Sequence, residues 1–396
     1  MRKTFKDIPR NLSLLILVLL LIYFFLEFIV FRFFLIHLPL RFHGYLPDPI
    51  YALAQNSKAG TIPQNYIAIF GDSYAVGDGD WVRTANAWLN RPFASQHLLH
   101  QKLGRDVIVI GKPGTGSVGS LIVRPINFYR YLNSTLFYQF ENPKIILAYF
   151  YEGNDLNNNL YGLRKNFPDD YDINQIYNRG YFKNIFADFF IQNDSLGQRA
   201  KSFRWHDNLF FFEFIKTIFL KRIMFRQYQG KSDQEVWNSS GINKVLVKGE
   251  VKSIPDYLHG PALELSDDEI NLSLYIFKES LAYLSNLFLK AKIFVVYVPS
   301  VLSCYQIVSP KVSIHTYQSE NHIFSSEMVV QRSNLIGNKI KQITEAQGLT
   351  FIDARKVIKK SSEDKFIHGP VDWRHFNRNG YEALAQAIVP FLVDAD

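Results

Sequence analysis

The chain has 396 residues, of which 47% are hydrophobic and 20% charged, enough for a sizeable core and too apolar for a disordered polymer. Lysine and arginine number 44 against 36 acidic residues, for a net charge of +8. No zinc-finger cysteine pattern, RNA-binding aromatic signature or basic helix accompanies that excess, so it speaks for basic membrane flanks, and no nucleic acid is expected as a partner.

The first element is apolar. Residues 12–26 are hydrophobic apart from Ser13, with Tyr23 near the far end. Glu27 interrupts the run and residues 28–31 resume it, so 12–31 supplies the roughly 20 residues that a bilayer-spanning helix needs. Glu27 is expected at the interface or against Arg32, with a functional intramembrane acid as the other reading. Arg2, Lys3, Lys6 and Arg10 precede the run, which places the tail in the cytoplasm and the rest outside. The run is too long for a usual signal-peptide core and no small-x-small cleavage site follows it, so we read an uncleaved signal anchor. Pro39, Pro47 and Pro49 mark a linker to the next domain.

Beyond the linker, short apolar runs alternate with helical patterns. Five runs read as strands buried on both faces: 66–70 (YIAIF), 107–110 (VIVI), 144–151 (KIILAYFY), 292–298 (KIFVVYV) and 349–352. Helices are expected over 85–103, from the Ser266 N-cap onward, over 327–347 before Gly348, and over 380–392. The alternation predicts a three-layer α/β fold with a parallel sheet. Residues 157–264 break the rhythm. They are aromatic, mixed in charge and without a clear strand, with a helix-like piece at 208–225, and read as a mostly helical insertion. The expected divisions are therefore 1–45, 60–156, 157–264 and 265–396. Cys304 is the one cysteine, which excludes an intrachain disulfide and a Cys-based metal site.

Four strand ends and loops carry candidate chemistry. The first strand runs into GDSYAVGDG (71–79), which places Ser73 at the carboxyl edge of the sheet, where open α/β folds bind ligands. A plain strand-turn-helix junction would have the same look. The second strand ends in GKPGTGS (111–117), whose glycines suit a backbone N–H aimed at an oxyanion; Walker spacing is absent. The third ends in YEGND, where Asn154 offers a neutral amide donor or merely a turn. Near the C-terminus DWRH (372–375) brings Asp372 and His375 within three residues, so that the carboxylate can orient the imidazole, or simply cap the following helix. His368 is a rival base without a nearby Asp partner.

These blocks, in this order, resemble the SGNH (GDSL-like) hydrolase family, named for Ser, Gly, Asn and His. The matching positions are Ser73, Gly114 (with Gly116 as the alternative), Asn154 and His375, over about 64–156 and 266–393. The fourth residue of the first block is Tyr74 where the family often has Leu. The resemblance implies a flavodoxin-like sheet of about five parallel strands and a Ser73–His375–Asp372 triad. It also implies an oxyanion hole of the Ser73 N–H, the Gly114 N–H and the Asn154 amide. The implied activity is that of an esterase on an acyl ester, an O-acetylated envelope carbohydrate or a lipid, with no metal or cofactor. An O-acyltransferase using the same triad, with an envelope-biosynthesis partner, and a non-catalytic envelope scaffold are the alternatives. The catalytic domain is expected outside the cytoplasm, in the periplasm or at the cell surface.

Overall fold

The computed structural model describes residues 4–43, 45–46, 48–80, 94–136, 138–166, 173–202, 208–225, 237–316 and 321–393. Five strands form the central sheet: β1 (Ile67–Phe70), β2 (Val107–Val109), β3 (Ile145–Tyr151), β4 (Lys292–Val298) and β5 (Thr350–Asp353). Their spatial order is β5-β4-β3-β1-β2, and every pairing is parallel. This is the flavodoxin-like order, in which chain direction across the sheet reverses between β1 and β3.

Why these runs become central strands is visible in their burial. Every residue of β1, β2 and β3 is buried, and successive side chains feed opposite faces. Ala68, Phe70, Ile108, Ile146, Ala148 and Phe150 enter one apolar core, with the helices Arg124–Ser134, Asp155–Asn166 and Asp267–Leu287. Ile67, Ile69, Val107, Val109, Leu147 and Tyr149 enter the other, with the helices Ser95–Leu103 and Arg378–Val393. The three-layer α/β expectation therefore holds. Ser266 caps its helix through a full capping box with Glu269.

Some local expectations change. The helix expected from residue 85 is described only from Ser95, with Ala94 in an extended conformation as its N-cap; 81–93 lie outside the described residues. The segment expected to lack a strand contains a hairpin, Lys244–Val247 with Glu250–Ser253, which also pairs with Gln306–Ile307. Its turn is Lys248–Gly249 at φ 55° and 72°, the positive-φ pair that a two-residue hairpin turn favours. Sequence reading missed it because Glu250–Ser253 is exposed throughout and shows no apolar alternation. The proline-marked linker is packed as well: Ile50 and Leu53, in the helix Asp48–Ala54, are fully buried. Pro47 lies outside the described residues.

Residues Asn11–His37 form one N-terminal helical stretch long and apolar enough to cross a membrane. It includes a π-helical turn at Leu26–Val30, and Glu27 sits in that turn. Glu27 is buried. Its two carboxylate oxygens accept the N–H groups of Phe211 at 2.9 Å and Phe212 at 3.2 Å, and the Tyr23 hydroxyl donates to it at 3.0 Å. The carboxylate expected near the interface has a capping role that sequence reading did not assign. Glu27 satisfies free donors in the first turn of the helix Phe210–Phe225.

Candidate active site

The site grows from the end of β1. Gly71 follows the strand at φ 156°, and a Cβ there would lie 2.9 Å from the Cβ atoms of both Tyr149 and Ala75. Only glycine lets the chain turn that closely over β3. Asp72 then caps the short helix Ser73–Val76, accepting the Tyr74 N–H at 2.9 Å. This turn lifts Ser73 to the sheet edge beside the β1/β3 reversal point.

Ser73, 302 residues before His375 in sequence, meets it in space. His375 Nε2 stands 3.0 Å from Ser73 Oγ, and His375 Nδ1 stands 2.8 Å from Asp372 Oδ2. A carboxylate only accepts, so Nδ1 carries the hydrogen, and Nε2 of the neutral ring is left to accept from Ser73. Asp372 is buried, and its other oxygen accepts the Arg374 N–H at 2.8 Å. Its own N–H donates to Asp80, the residue after the first block. Burial lowers the pKa of His375, but the hydrogen bond and charge of Asp372, aided by Asp78 and Asp72, outweigh it and raise it above the ordinary value. His368 is elsewhere engaged. Its Nδ1 faces the Tyr305 hydroxyl at 3.1 Å, and burial holds its pKa down at about 3.

Asn154 lies three residues beyond β3, with its side-chain amide near enough to the Asp72 carboxylate to favour its charged form. Ser73 Oγ has a second, longer contact to Asp72 Oδ2 at 3.3 Å. Asp72 is pushed up by burial, against which Tyr74, His375 and Asn154 work. Asp155, buried beside it, is pushed further up by its own burial and by the Asp72 charge.

The second-block glycines have distinct places. Gly111 packs on the nucleophile turn, where a Cβ would lie 2.9 Å from the Gly71 carbonyl oxygen, and the Lys112 N–H donates to that same oxygen at 3.0 Å. Gly114 is exposed at φ 67°, with open space where a Cβ would be. Gly116 lies against Asn159, whose Oδ1 accepts the Ser117 N–H at 2.7 Å and so holds the loop in place.

Three residues that hold the site together were given no role from the sequence. Tyr74 stacks on Tyr151 with ring centroids 4.0 Å apart and donates its hydroxyl to the Arg374 carbonyl at 2.7 Å. Its departure from the usual fourth position was the available signal. Tyr381 donates to the Asp78 carbonyl at 2.6 Å. Trp237 donates its indole N–H to the Val371 carbonyl at 3.0 Å, with the Arg374 guanidinium 5.7 Å from its ring centroid. Among the described residues no group of His, Cys, Asp and Glu could hold a metal ion.

No family model matches the chain. No curated protein matches it either. Among solved structures it is similar to a family two carbohydrate esterase from Cellvibrio japonicus, with 12% identity and a TM-score of 0.33. It is also similar to an acetyl xylan esterase (Est2A) from the rumen bacterium Butyrivibrio proteoclasticus, with 11% identity and a TM-score of 0.35. Each match covers 84% of this chain, and 62% and 64% of the two esterases, less than two thirds of either.

Proposed function

We propose that the chain is a serine esterase of the SGNH type, carried on an N-terminal membrane anchor and acting on O-acyl groups of a cell-envelope carbohydrate. The observation that carries this reading is the continuous chain from Ser73 Oγ through the His375 imidazole to the Asp372 carboxylate, with contacts of 3.0 and 2.8 Å. A hydroxyl on a buried sheet edge needs a base in hydrogen-bond reach, and the base needs an orienting acceptor on its far nitrogen.

In the proposed reaction Ser73 Oγ attacks the ester carbonyl carbon as its proton passes to His375 Nε2. Asp372 holds the imidazole and stabilises the imidazolium that forms. The tetrahedral oxyanion is held by the Ser73 N–H, the Gly114 N–H and the Asn154 amide. A single such donor is worth about a hundredfold or more in rate. The intermediate collapses, the C–O bond to the sugar breaks, and His375 returns its proton to the departing hydroxyl. Water, deprotonated by the same imidazole, then attacks the acyl-enzyme and frees the acid.

The test is labelling of the full chain in detergent with a fluorophosphonate, beside Ser73→Ala and His375→Ala. Label on the Ser73 peptide, absent from both variants, is the expected result. A folded wild type that takes no label, or takes it at another serine, would overturn the assignment.

A further inference from the structure

The helix Phe210–Phe225 is apolar on both of its sides. Phe210 and Phe214 are buried, and Phe211, Ile215 and Ile218 pack on the core. The other side is the stripe 212, 216, 219 and 220, spaced i, i+4, i+7 and i+8. All four positions are exposed among the described residues, and three are apolar: Phe212 at 49%, Phe219 at 64% and Leu220 at 50%. A helix that faces water is polar along such a stripe. A contiguous apolar stripe marks a surface that something covers.

The level of this helix against the N-terminal one decides what covers it. The apolar run 12–31 fills a hydrocarbon layer of about 30 Å at about 1.5 Å per residue. Glu27 stands four residues before Phe31, so about 6 Å inside the domain-side boundary of that layer. The Phe211 and Phe212 N–H groups meet the Glu27 carboxylate at 2.9 and 3.2 Å, which puts the first turn of Phe210–Phe225 at the same depth. Apolar exposure on the N-terminal helix continues past this level through Ile29, Phe33 and Phe34, away from the buried Glu27, Phe31 and Leu35. The two exposed apolar surfaces therefore meet at one height.

Polar groups on the helix are satisfied as lipid requires, since backbone donors cannot stay free where water is absent. Glu27 takes up two of them in the first turn. The Thr217 hydroxyl donates to the Glu213 carbonyl at 2.7 Å, and Lys216 pairs with the Glu213 carboxylate at 3.1 Å. Lys216 also has a stem long enough to carry its ammonium to the headgroups. Lys221, Arg222 and Arg226 follow, against Glu213 as the one acid of the helix, a balance that suits anionic headgroups.

We propose that the helix Phe210–Phe225 is a second membrane element, lying between headgroups and acyl chains with Phe212, Phe219 and Leu220 in lipid. The occupant of the apolar face is the bilayer itself. The domain is then seated on the membrane along this helix and not held off it by a linker. The inference rests on Asn11–His37 being a membrane span and is independent of the esterase chemistry.

The test uses the unaltered full chain in vesicles of phosphatidylcholine and phosphatidylglycerol. A carbene-forming probe dissolved in the lipid is activated by light, and its adducts are located by peptide mass spectrometry. Adducts are expected on 12–25 and on 212–220, and not on the exposed strand Glu250–Ser253, whose partner strand packs on the other side of the central sheet. Adducts on 12–25 without any on 212–220 would overturn the proposal and leave the anchor. Adducts on neither would overturn both. A second measurement separates lipid from a protein cover. The native Cys304 is buried, so an environment-sensitive fluorophore is attached in turn to Phe219→Cys, Leu17→Cys and Val251→Cys, all exposed positions, with circular dichroism as the check on folding. With doxyl groups on the acyl chains, the Phe219→Cys label should lose about half or more of its emission, as the Leu17→Cys label does, while the Val251→Cys label stays bright. A Phe219→Cys label that is shielded from water yet untouched by doxyl lipid would mean that a second copy or another protein covers the face, and the proposal falls.

Discussion

The carboxylate of Glu27 accepts the backbone N–H of Phe211 at 2.9 Å, joining the N-terminal apolar helix to a helix 184 residues further along the chain. A charged side chain amid apolar residues is costly unless its oxygens are hydrogen-bonded, and here they take two N–H groups and the Tyr23 hydroxyl. The C-terminal end of the N-terminal helix is therefore built into the domain, through Glu27, Phe31 and Leu35. Phe31 and Leu35 extend the contact, both buried, and Phe31 packs on Phe211 and Phe214.

Glu27→Ala should leave two N–H groups of the helix Phe210–Phe225 without their acceptor, at a cost of about 1–3 kcal/mol. Hydrogen exchange of the full chain in detergent should show faster exchange at Phe211 and Phe212 and little change in β1 or β3. Glu27→Gln, which keeps one carbonyl acceptor, should fall between the two. Unchanged exchange in Glu27→Ala would show that the cap contributes nothing.

The pH dependence follows from the raised pKa of His375. The base must be neutral to accept the Ser73 proton, so kcat/KM for 4-nitrophenyl acetate should rise with pH through a midpoint above the ordinary histidine value of about 6.5. Asp372→Asn removes the largest contributions that raise it and leaves only the charges of Asp78 and Asp72 against burial, which lowers it. The midpoint should then move to lower pH, while kcat falls by about three to four orders of magnitude because the imidazole loses its preferred tautomer. A midpoint that stays fixed would mean that Asp372 does not set the charge of His375.

Tyr74→Phe keeps the ring stacked on Tyr151 and removes the donor to the Arg374 carbonyl, one residue before His375. The expected stability loss is about 1 kcal/mol. The larger effect should be kinetic, a roughly tenfold lower kcat, since small displacements of a catalytic base are expensive in rate. Fluorophosphonate labelling rate with unchanged melting would separate positioning from simple destabilisation.

Gly71→Ala brings a Cβ to 2.9 Å from Tyr149 and Ala75 in a backbone conformation that alanine resists. We expect about 1–3 kcal/mol of destabilisation, read as a lower midpoint in chemical denaturation, together with slower labelling of Ser73. Gly104→Ala, at φ 66° with open space around it, isolates the cost of the backbone conformation alone and should leave labelling unchanged.

The parts legible in advance were those whose signal is local. β1, β3 and β4 are continuous apolar runs because both of their faces are covered, and the Ser266 capping box is written in four residues. Asp372 and His375 stand three apart, so their pairing was one of two readings that the spacing offered, beside a cap for the following helix. The hairpin 244–253 was not legible, because an exposed edge demands no apolar residue. The Glu27 cap was not legible either: its partners are backbone N–H groups, which every residue but proline carries.

The amino-acid sequence alone determined the α/β alternation, the apolar N-terminal helix and the four blocks that hold Ser73, the second-block glycines, Asn154 and the Asp372–His375 pair. Each of these depends on residue type and on neighbours within a few positions. Only tertiary structure decided that Ser73 Oγ and His375 Nε2 meet at 3.0 Å, that Tyr74 braces the loop between them, and that the 157–264 segment closes a cavity over the second-block loop. Those relations join groups up to 302 residues apart, and it is the parallel sheet, reversing its order between β1 and β3, that brings their ends to one edge.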